Sequence, residues 1–343
     1  LPNSNTYKLS FLVLSIILVF CFLANISLGS VYIPLKDVFN SIIGNVTEQE
    51  TWQHIIQNYR LPKAVTAILV GSGLGISGLL MQTLFRNPLA GPFVLGISSG
   101  ASLGVALVIL GSSVFGGVFM SLLISKWSIV IAASLGSFLV LLAVLMVSLK
   151  VRDTMAILII GLMFASITAA IVSVLSYFGS AQQLQQYIFW GFGSLGNLSW
   201  DELIIFFIIY SFGIIVSLAS VKSLNTMLLG ENYAKSLGLN IKRSRFAIII
   251  ATSLLAGTIT AFAGPIAFIG LAIPHLTRQV FNTSNHKILL PAVFLFGGIV
   301  MLICDSIAQV PNSDYTLPIN AITSLIGAPV VIWLLVRKRK MVF

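Results

Sequence analysis

Few side chains in this sequence could do chemistry, and one carboxylate stands apart. Asp305 is the one acidic residue inside an apolar helical run, near the end of Ile288–Val310. A carboxylate at membrane depth is a candidate ion site, because burial there is costly without a purpose or a partner. The structural alternative makes Asp305 a cap or a partner for Arg60 or Lys63, in Tyr59-Arg60-Leu61-Pro62-Lys63. An ion-coupled protein usually carries more intramembrane charge than this one, which favours the structural reading. Arg60 and Lys63 stand where a polar stretch enters an apolar run. They could anchor at lipid headgroups or receive carboxylates of an outside partner.

The other reactive residues lead away from catalysis. His54, His275 and His286 have no metal-ligand spacing. Cys21 and Cys304 lie in separate apolar runs and read as packed thiols. The acids are scattered, so no Ser/His/Asp triad or carboxylate pair can be built. Gly73-x-Gly75-x-x-Gly78 has the letters of a dinucleotide fingerprint, but no strand precedes it and no acid follows at about 20 residues. Gly71, Gly75 and Ser77 read instead as small residues that let helices approach closely in a membrane. No GxxxxGK[ST] loop is present, so the chain reads as a non-enzyme, without metal or cofactor, that does not itself hydrolyse ATP by a P-loop mechanism.

The elements that position these residues follow from composition. Of 343 residues, 57% are hydrophobic and 8% charged, against about 25% charged in soluble domains. The apolar runs are continuous, without strand alternation, and of roughly the 18–24 residues that cross a bilayer as a helix. The sequence predicts an all-α polytopic membrane protein with one transmembrane domain over residues 1–343. The net charge of +10 reflects basic loops retained on the cytoplasmic side, not a nucleic-acid partner.

Leu9–Leu28 exceeds a signal-peptide core and reads as a first span entering from the cytoplasm. Val31–Tyr59 is polar, with Leu35, Val38, Phe39 and Ile42 at helical spacing along the outer interface. Leu61–Phe85 returns inward, the two-proline turn Arg86–Pro92 follows, and Phe93–Gly111 goes out. Ser128–Leu149, the turn Lys150–Thr154 and Met155–Phe178 repeat that excursion. Gly179–Trp200 reads as an outer-interface loop, and Asp201–Ser220 runs in. Phe246–Phe281 is predicted to make two passes broken at Gly264-Pro265, because proline removes a helix hydrogen bond and clashes with the preceding turn. Ile288–Val310 and Pro318–Val336 complete ten spans with both termini cytoplasmic. On that path Lys36, Arg60, Lys63 and Lys126 face outward, and all the rest of the 19 Lys and Arg residues face inward.

One polar island interrupts the apolar chain, Leu224–Arg245. Asn225 and Thr226 can start a short helix that Gly230 stops. Glu231 begins a second, with Ala234 and Leu237 on one side and Gly238 at its end. Glu231 stands four residues before Lys235, the favourable order for a helical ion pair. The island is too polar for a bilayer and too well punctuated for a linker. It reads as a cytoplasmic platform against which another protein pushes, a lever with no chemistry of its own.

A set of motifs in order makes the sequence familiar: Arg60-Leu-Pro-Lys63, the Gly-rich run into Arg86-Asn-Pro-Leu-Ala-Gly-Pro92, Leu95-Gly-Ile-Ser-Ser-Gly100 and Trp190-Gly-Phe-Gly-Ser194. Leu229-Gly-Glu with Ala234 and Leu237-Gly238, Gly264-Pro-Ile-Ala-Phe-Ile-Gly-Leu-Ala-Ile-Pro-His275, Asp305 and Gly327-Ala-Pro329 complete it. From Arg60 to the C-terminus the chain resembles the FecCD-type (type II) permease subunits of ATP-binding-cassette importers for iron–siderophores, haem and vitamin B12. The resemblance implies ten spans with an inverted repeat, in the cytoplasmic (inner) membrane of a bacterium. It implies a pair of permease subunits, usually a homodimer, above two cytoplasmic ATPases that hold ATP-Mg, with a periplasmic or lipid-anchored substrate-binding protein outside. Leu228, Leu229, Gly230, Glu231, Ala234, Leu237 and Gly238 then belong to the ATPase-coupling segment 224–245. Arg60 and Lys63 match basic docking positions for the binding protein, while Gln309 departs from a third. Asn87, Leu89, Asp153 and Thr154 map to a cytoplasmic gate, and Gly264, Pro265 and Asp305 to structural positions within the membrane.

The cargo implied is an iron chelate, a siderophore first, with haem or vitamin B12 as alternatives in the same family. Two other classes remain open on residues alone: an ion-coupled carrier using Asp305, and a membrane scaffold with no transport path.

Overall fold

A computed structural model of the chain describes residues 4–111, 125–148, 154–311, 313 and 315–336, and every element among them is helical. In chain order the helices are α1 (Ser4–Ser27), α2 (Leu35–Ile43), α3 (Glu50–Ile55), α4 (Leu61–Phe85), α5 (Ile97–Ile109), α6 (Lys126–Ser148), α7 (Thr154–Phe178) and α8 (Ala181–Gly191). There follow α9 (Trp200–Ala219), α10 (Val221–Met227), α11 (Glu231–Ser236), α12 (Ile241–Ala263), α13 (Ile269–Phe281), α14 (His286–Ala308) and α15 (Ile319–Val336). Seven helical stretches among the described residues are long and apolar enough to cross a membrane, and Ile97–Ile109 and Ile319–Trp333 are shorter apolar helices. The turn Lys150–Asp153 and the terminal Arg337–Lys340 lie outside the described residues.

The chain divides into two compact units. The first comprises Leu1–Leu79, Ser194–Ile208 and Ala267–Phe343. Here α1 lies along α14, with Tyr7 stacked on Phe281 at the end of α13 and Phe11 tilted against the same ring. The Gly-rich face of α4 meets α13 and α14 backbone to backbone. A Cβ on Gly71 would stand 2.1 Å from the Gly297 carbonyl oxygen, and one on Gly78 would stand 1.7 Å from that of Gly270. Gly75, whose Cβ would stand 2.9 Å from Val293 Cγ1, and Gly78 of the apparent dinucleotide fingerprint are thus packing residues, as membrane helices use them.

Two local differences from the sequence expectation occur here. Helix begins at Glu50, not after Tyr59: α3 continues through a π-turn, Ile56–Arg60, into α4, giving one helical stretch Glu50–Phe85. A π-turn admits an extra residue and re-aims the side chain that it carries, here Arg60. In α2, Val38 turns inward with Asp37 and Ser41, leaving Leu35, Phe39 and Ile42 as the exposed apolar face.

The second unit comprises Leu80–Gly193 and Ile209–Ile266. After a 3₁₀ turn at Pro92–Leu95, α5 and α6 cross at facing glycines, with Gly136 so close that an added Cβ would meet the Gly100 carbonyl oxygen at 2.1 Å. The Gly179–Trp200 stretch, expected as loop, contains α8. Ser180 and Gln183 form a reciprocal capping box at its start, each side chain bonding the other's backbone N–H. Tyr187 on α8 hydrogen-bonds Ser102 on α5.

The break expected within Phe246–Phe281 is present, and the helix after it has 13 residues, shorter than a full crossing. α12 ends at Ala263 and α13 begins at Ile269. Gly264 makes the break, with φ +77°, and a Cβ there would stand 2.8 Å from the Trp190 carbonyl oxygen and 2.9 Å from Gly193 Cα. Both the left-handed backbone and the close approach require glycine. In the first unit, Asn320 Oδ1 accepts from Ala267 N–H at 3.0 Å, fixing the chain as it enters α13.

Candidate functional site

There are two separate candidate sites, one in each unit. The platform belongs to the second. Its two short helices are α10 and α11; α10 starts a turn earlier than Asn225, while α11 starts at Glu231 as expected. Gly230, with φ +100°, and Gly238, with φ +80°, punctuate it. Backbone of this kind excludes most L-residues, so the two glycines fix the angle at which α11 is presented. Ala234 is fully buried, whereas Leu229, Tyr233 and Leu237 are 59%, 58% and 60% exposed. Three apolar side chains thus stand exposed on an otherwise polar segment. Leu228, beside them, is half-buried.

Glu231 is held from outside its own helix. Its Oε1 accepts from Arg245 Nη2 at 2.5 Å, across 14 residues, and this partner replaces the Lys235 that helical spacing suggested. Arg245 lies in the first turns of α12, so the pair ties platform to membrane helix. Arg86 approaches the same corner, with its Nη1 3.4 Å from where a Gly230 Cβ would stand. α11 is therefore tied to α12 by an ion pair and a bend, not by slack chain.

Arg86 also opens the turn that carries two of the predicted gate residues. Asn87 Oδ1 accepts from Leu89 N–H at 2.9 Å, and Asn87 O accepts from Ala90 N–H at 3.1 Å, closing a tight turn that leaves Leu89 exposed. Thr154 begins α7, and Asp153 lies outside the described residues.

The first unit holds the other set. Arg60 is buried, 9% exposed, and its guanidinium donates to the carbonyl oxygens of Ile26, at 2.8 Å, Ser27, at 2.9 Å, and Val31. A helix leaves its last carbonyls unpaired; Arg60 meets those of α1, with a cation suited to that end of the dipole. Three residues on, Lys63 Nζ pairs with Asp305 Oδ1 at 3.1 Å. Asp305 Oδ2 accepts from Gln309 Nε2 at 2.8 Å and from Asn25 Nδ2 at 3.0 Å. Asn25 Nδ2 also lies 3.0 Å from Ser306 Oγ. Of the two cations weighed for Asp305, the structure supplies Lys63. The carboxylate is enclosed by donors, as a buried charge must be.

Some of these partners were within reach of sequence reasoning. Asn25 is a polar residue near the end of an apolar run, which is a signal at membrane depth. Ser180-x-x-Gln183 is the local pattern of a helix start. The Arg245 partner of Glu231 had no such signal.

Helices long and apolar enough to cross a membrane, with a short punctuated platform between α9 and α12, are features of a multi-pass membrane permease. The profile of the FecCD transport family matches residues 17–337. The chain is 33% identical over 328 residues to the hemin transport system permease protein HmuU of Yersinia pestis, covering 95% of each. It is 37% identical over 288 residues to the vitamin B12 import system permease protein BtuC of Klebsiella pneumoniae, covering 84% of each. Its fold matches a solved transporter assigned to the metal-chelate ABC type, in an inward-facing conformation, with TM-score 0.84 and 30% identity over 97% of this chain and 100% of that one. The chain belongs to the FecCD transport family: it is an ABC importer permease and a multi-pass protein of the bacterial cytoplasmic membrane.

Proposed function

We propose that this chain is the membrane-spanning subunit of an ATP-driven importer that moves an iron chelate, a siderophore first, by alternating access. The observation that carries this reading is the platform, whose apolar residues Leu229, Tyr233 and Leu237 face outward while Glu231 binds Arg245 of α12. That arrangement suits a landing site for an ATPase that holds ATP-Mg and supplies the energy this chain does not generate. The platform then passes movement to the membrane helices, which rock as rigid bodies.

In the full reading, α5, α13 and α15 join the seven long spans to make ten crossings of one permease domain, residues 1–343, arranged as an inverted repeat with both termini cytoplasmic. Two such subunits, most simply identical, enclose the path above two ATPases. Arg60 and Lys63 mark the docking side for a substrate-binding protein, Arg60 by shaping the backbone and Lys63 as the accessible cation. Asn87, Leu89, Asp153 and Thr154 line the inner gate. Haem and vitamin B12 remain alternative cargoes, supported by the names of the two permeases above. An ion-coupled carrier gains no support from Asp305, which Lys63 and two amides already enclose.

Cross-linking tests the platform directly. A photoreactive residue in place of Leu237 is expected to cross-link to the ATPase, whereas one in place of Phe39, on the exposed face of α2, is not. Equal yields from both positions, or none from Leu237 in a complex that hydrolyses ATP, would contradict the reading.

A further inference from the structure

The residues at the ends of α4 and α14 present less positive charge than the sequence suggests. Arg60 is covered by three carbonyl oxygens. Lys63 keeps 21% of its side chain exposed, but its ammonium is engaged by Asp305, itself 3% exposed. The carboxylate cannot follow the lysine outward, because Asn25 and Gln309 hold its second oxygen and are themselves buried. Gly196 lies against the lysine stem, its Cβ position 3.5 Å from Lys63 Cδ, so the ammonium end has the greater freedom.

The geometry points to Asp305 as an internal competitor of the docking partner. This rests on the reading that an acidic side chain of the substrate-binding protein docks at Lys63. An ammonium has three donors, and Asp305 takes one. An incoming carboxylate finds donors free, but it must join a second carboxylate around a single positive charge. The resulting negative excess weakens docking, and undocking returns Lys63 to a partner that never moved. Gln309 sharpens the effect. It stands where the family pattern offers a third basic site, and its neutral amide supports Asp305 without relieving that excess. Asp305 thereby acts as a specificity and release element of the docking surface.

The test uses the full chain in lipid nanodiscs and its cognate substrate-binding protein, purified, with association and dissociation followed by biolayer interferometry. Asp305→Asn is expected to tighten docking about three- to tenfold, mainly through slower dissociation. The double variant Lys63→Gln/Asp305→Asn, which removes both charges, is expected to bind more weakly than the unaltered chain. If the double variant is weakened but Asp305→Asn is unchanged or weaker, Asp305 is no competitor and Lys63 docking stands. If the double variant binds as tightly as Asp305→Asn, docking does not use Lys63 and both readings fall. Asn25→Leu gives an independent arm should Asp305→Asn not fold. Asn25 is 1% exposed and out of a partner's reach, and losing its donor makes Asp305 hold Lys63 harder. A twofold or greater weakening is expected, and unchanged docking overturns the inference.

Discussion

Glu231→Arg is expected to separate this permease from its ATPase by tenfold or more in affinity while the membrane helices stay folded. The substitution removes the contact that holds α11 to α12 and puts a third guanidinium beside Arg245 and Arg86. An exposed ion pair contributes about 0–1 kcal/mol. This one is partly buried, with its side chains 12% and 29% exposed, and the variant adds repulsion to the loss. A tenfold change needs only about 1.4 kcal/mol. The effect concentrates on the angle of a six-residue helix that this pair anchors at its first residue. The reversed pair, Glu231→Arg with Arg245→Glu, is expected to recover most of the lost association, because the contact is between two groups and either can carry either charge. Association is measured by co-purification and by ATPase stimulation. If the reversed pair is no better than Glu231→Arg alone, the Glu231–Arg245 contact does not position the platform.

The second large effect is steric. Gly78→Leu is expected to destabilise the chain by about 3 kcal/mol or more, at or beyond the usual range for overpacking. A Cβ at Gly78 overlaps the Gly270 carbonyl oxygen at 1.7 Å, and that atom is backbone, so the whole of α13 must move. Gly257→Ala is the control. It lies in another helix, where a Cβ would find only Ile97 Cγ2 at 3.8 Å and Ser137 Cβ at 3.9 Å. There the change is expected to be neutral or to stabilise by roughly 0.5–1 kcal/mol, the ordinary helical difference between glycine and alanine. Thermal denaturation in detergent compares the two. A Gly78→Leu protein as stable as the Gly257→Ala protein would show that α4 does not pack through its glycines.

The contrast between these glycines shows what the sequence could and could not say. The long apolar helices were legible because a bilayer demands about 20 apolar residues per crossing: the run Leu61–Phe85 ends as helix where predicted, although its helix starts earlier, at Glu50. The break at Gly264-Pro265 was legible because two residues with known backbone habits stand together. Gly230 and Gly238 were legible for the same reason. Local rules reach about four residues along a chain. They therefore offered Lys235 to Glu231, while the structure brings Arg245 from 14 residues away. They offered Asp305 a cation but could not choose between Arg60 and Lys63, which point in different directions because a π-turn ends at Arg60. The amide support from Asn25 comes from the other end of the chain, at a separation of 280 residues. Ser180 and Gln183 do obey a local rule, but the polar and aromatic composition of their segment masks the short helix that they start.

Uptake into proteoliposomes tests the central claim most directly. The chain is reconstituted with its ATPase and its substrate-binding protein, and entry of a radiolabelled ferric siderophore is followed with and without ATP. The expected result is uptake that requires ATP and the binding protein, is lost with Glu231→Arg, and persists when ionophores collapse every ion gradient. Uptake that follows an ion gradient and ignores ATP would contradict the account.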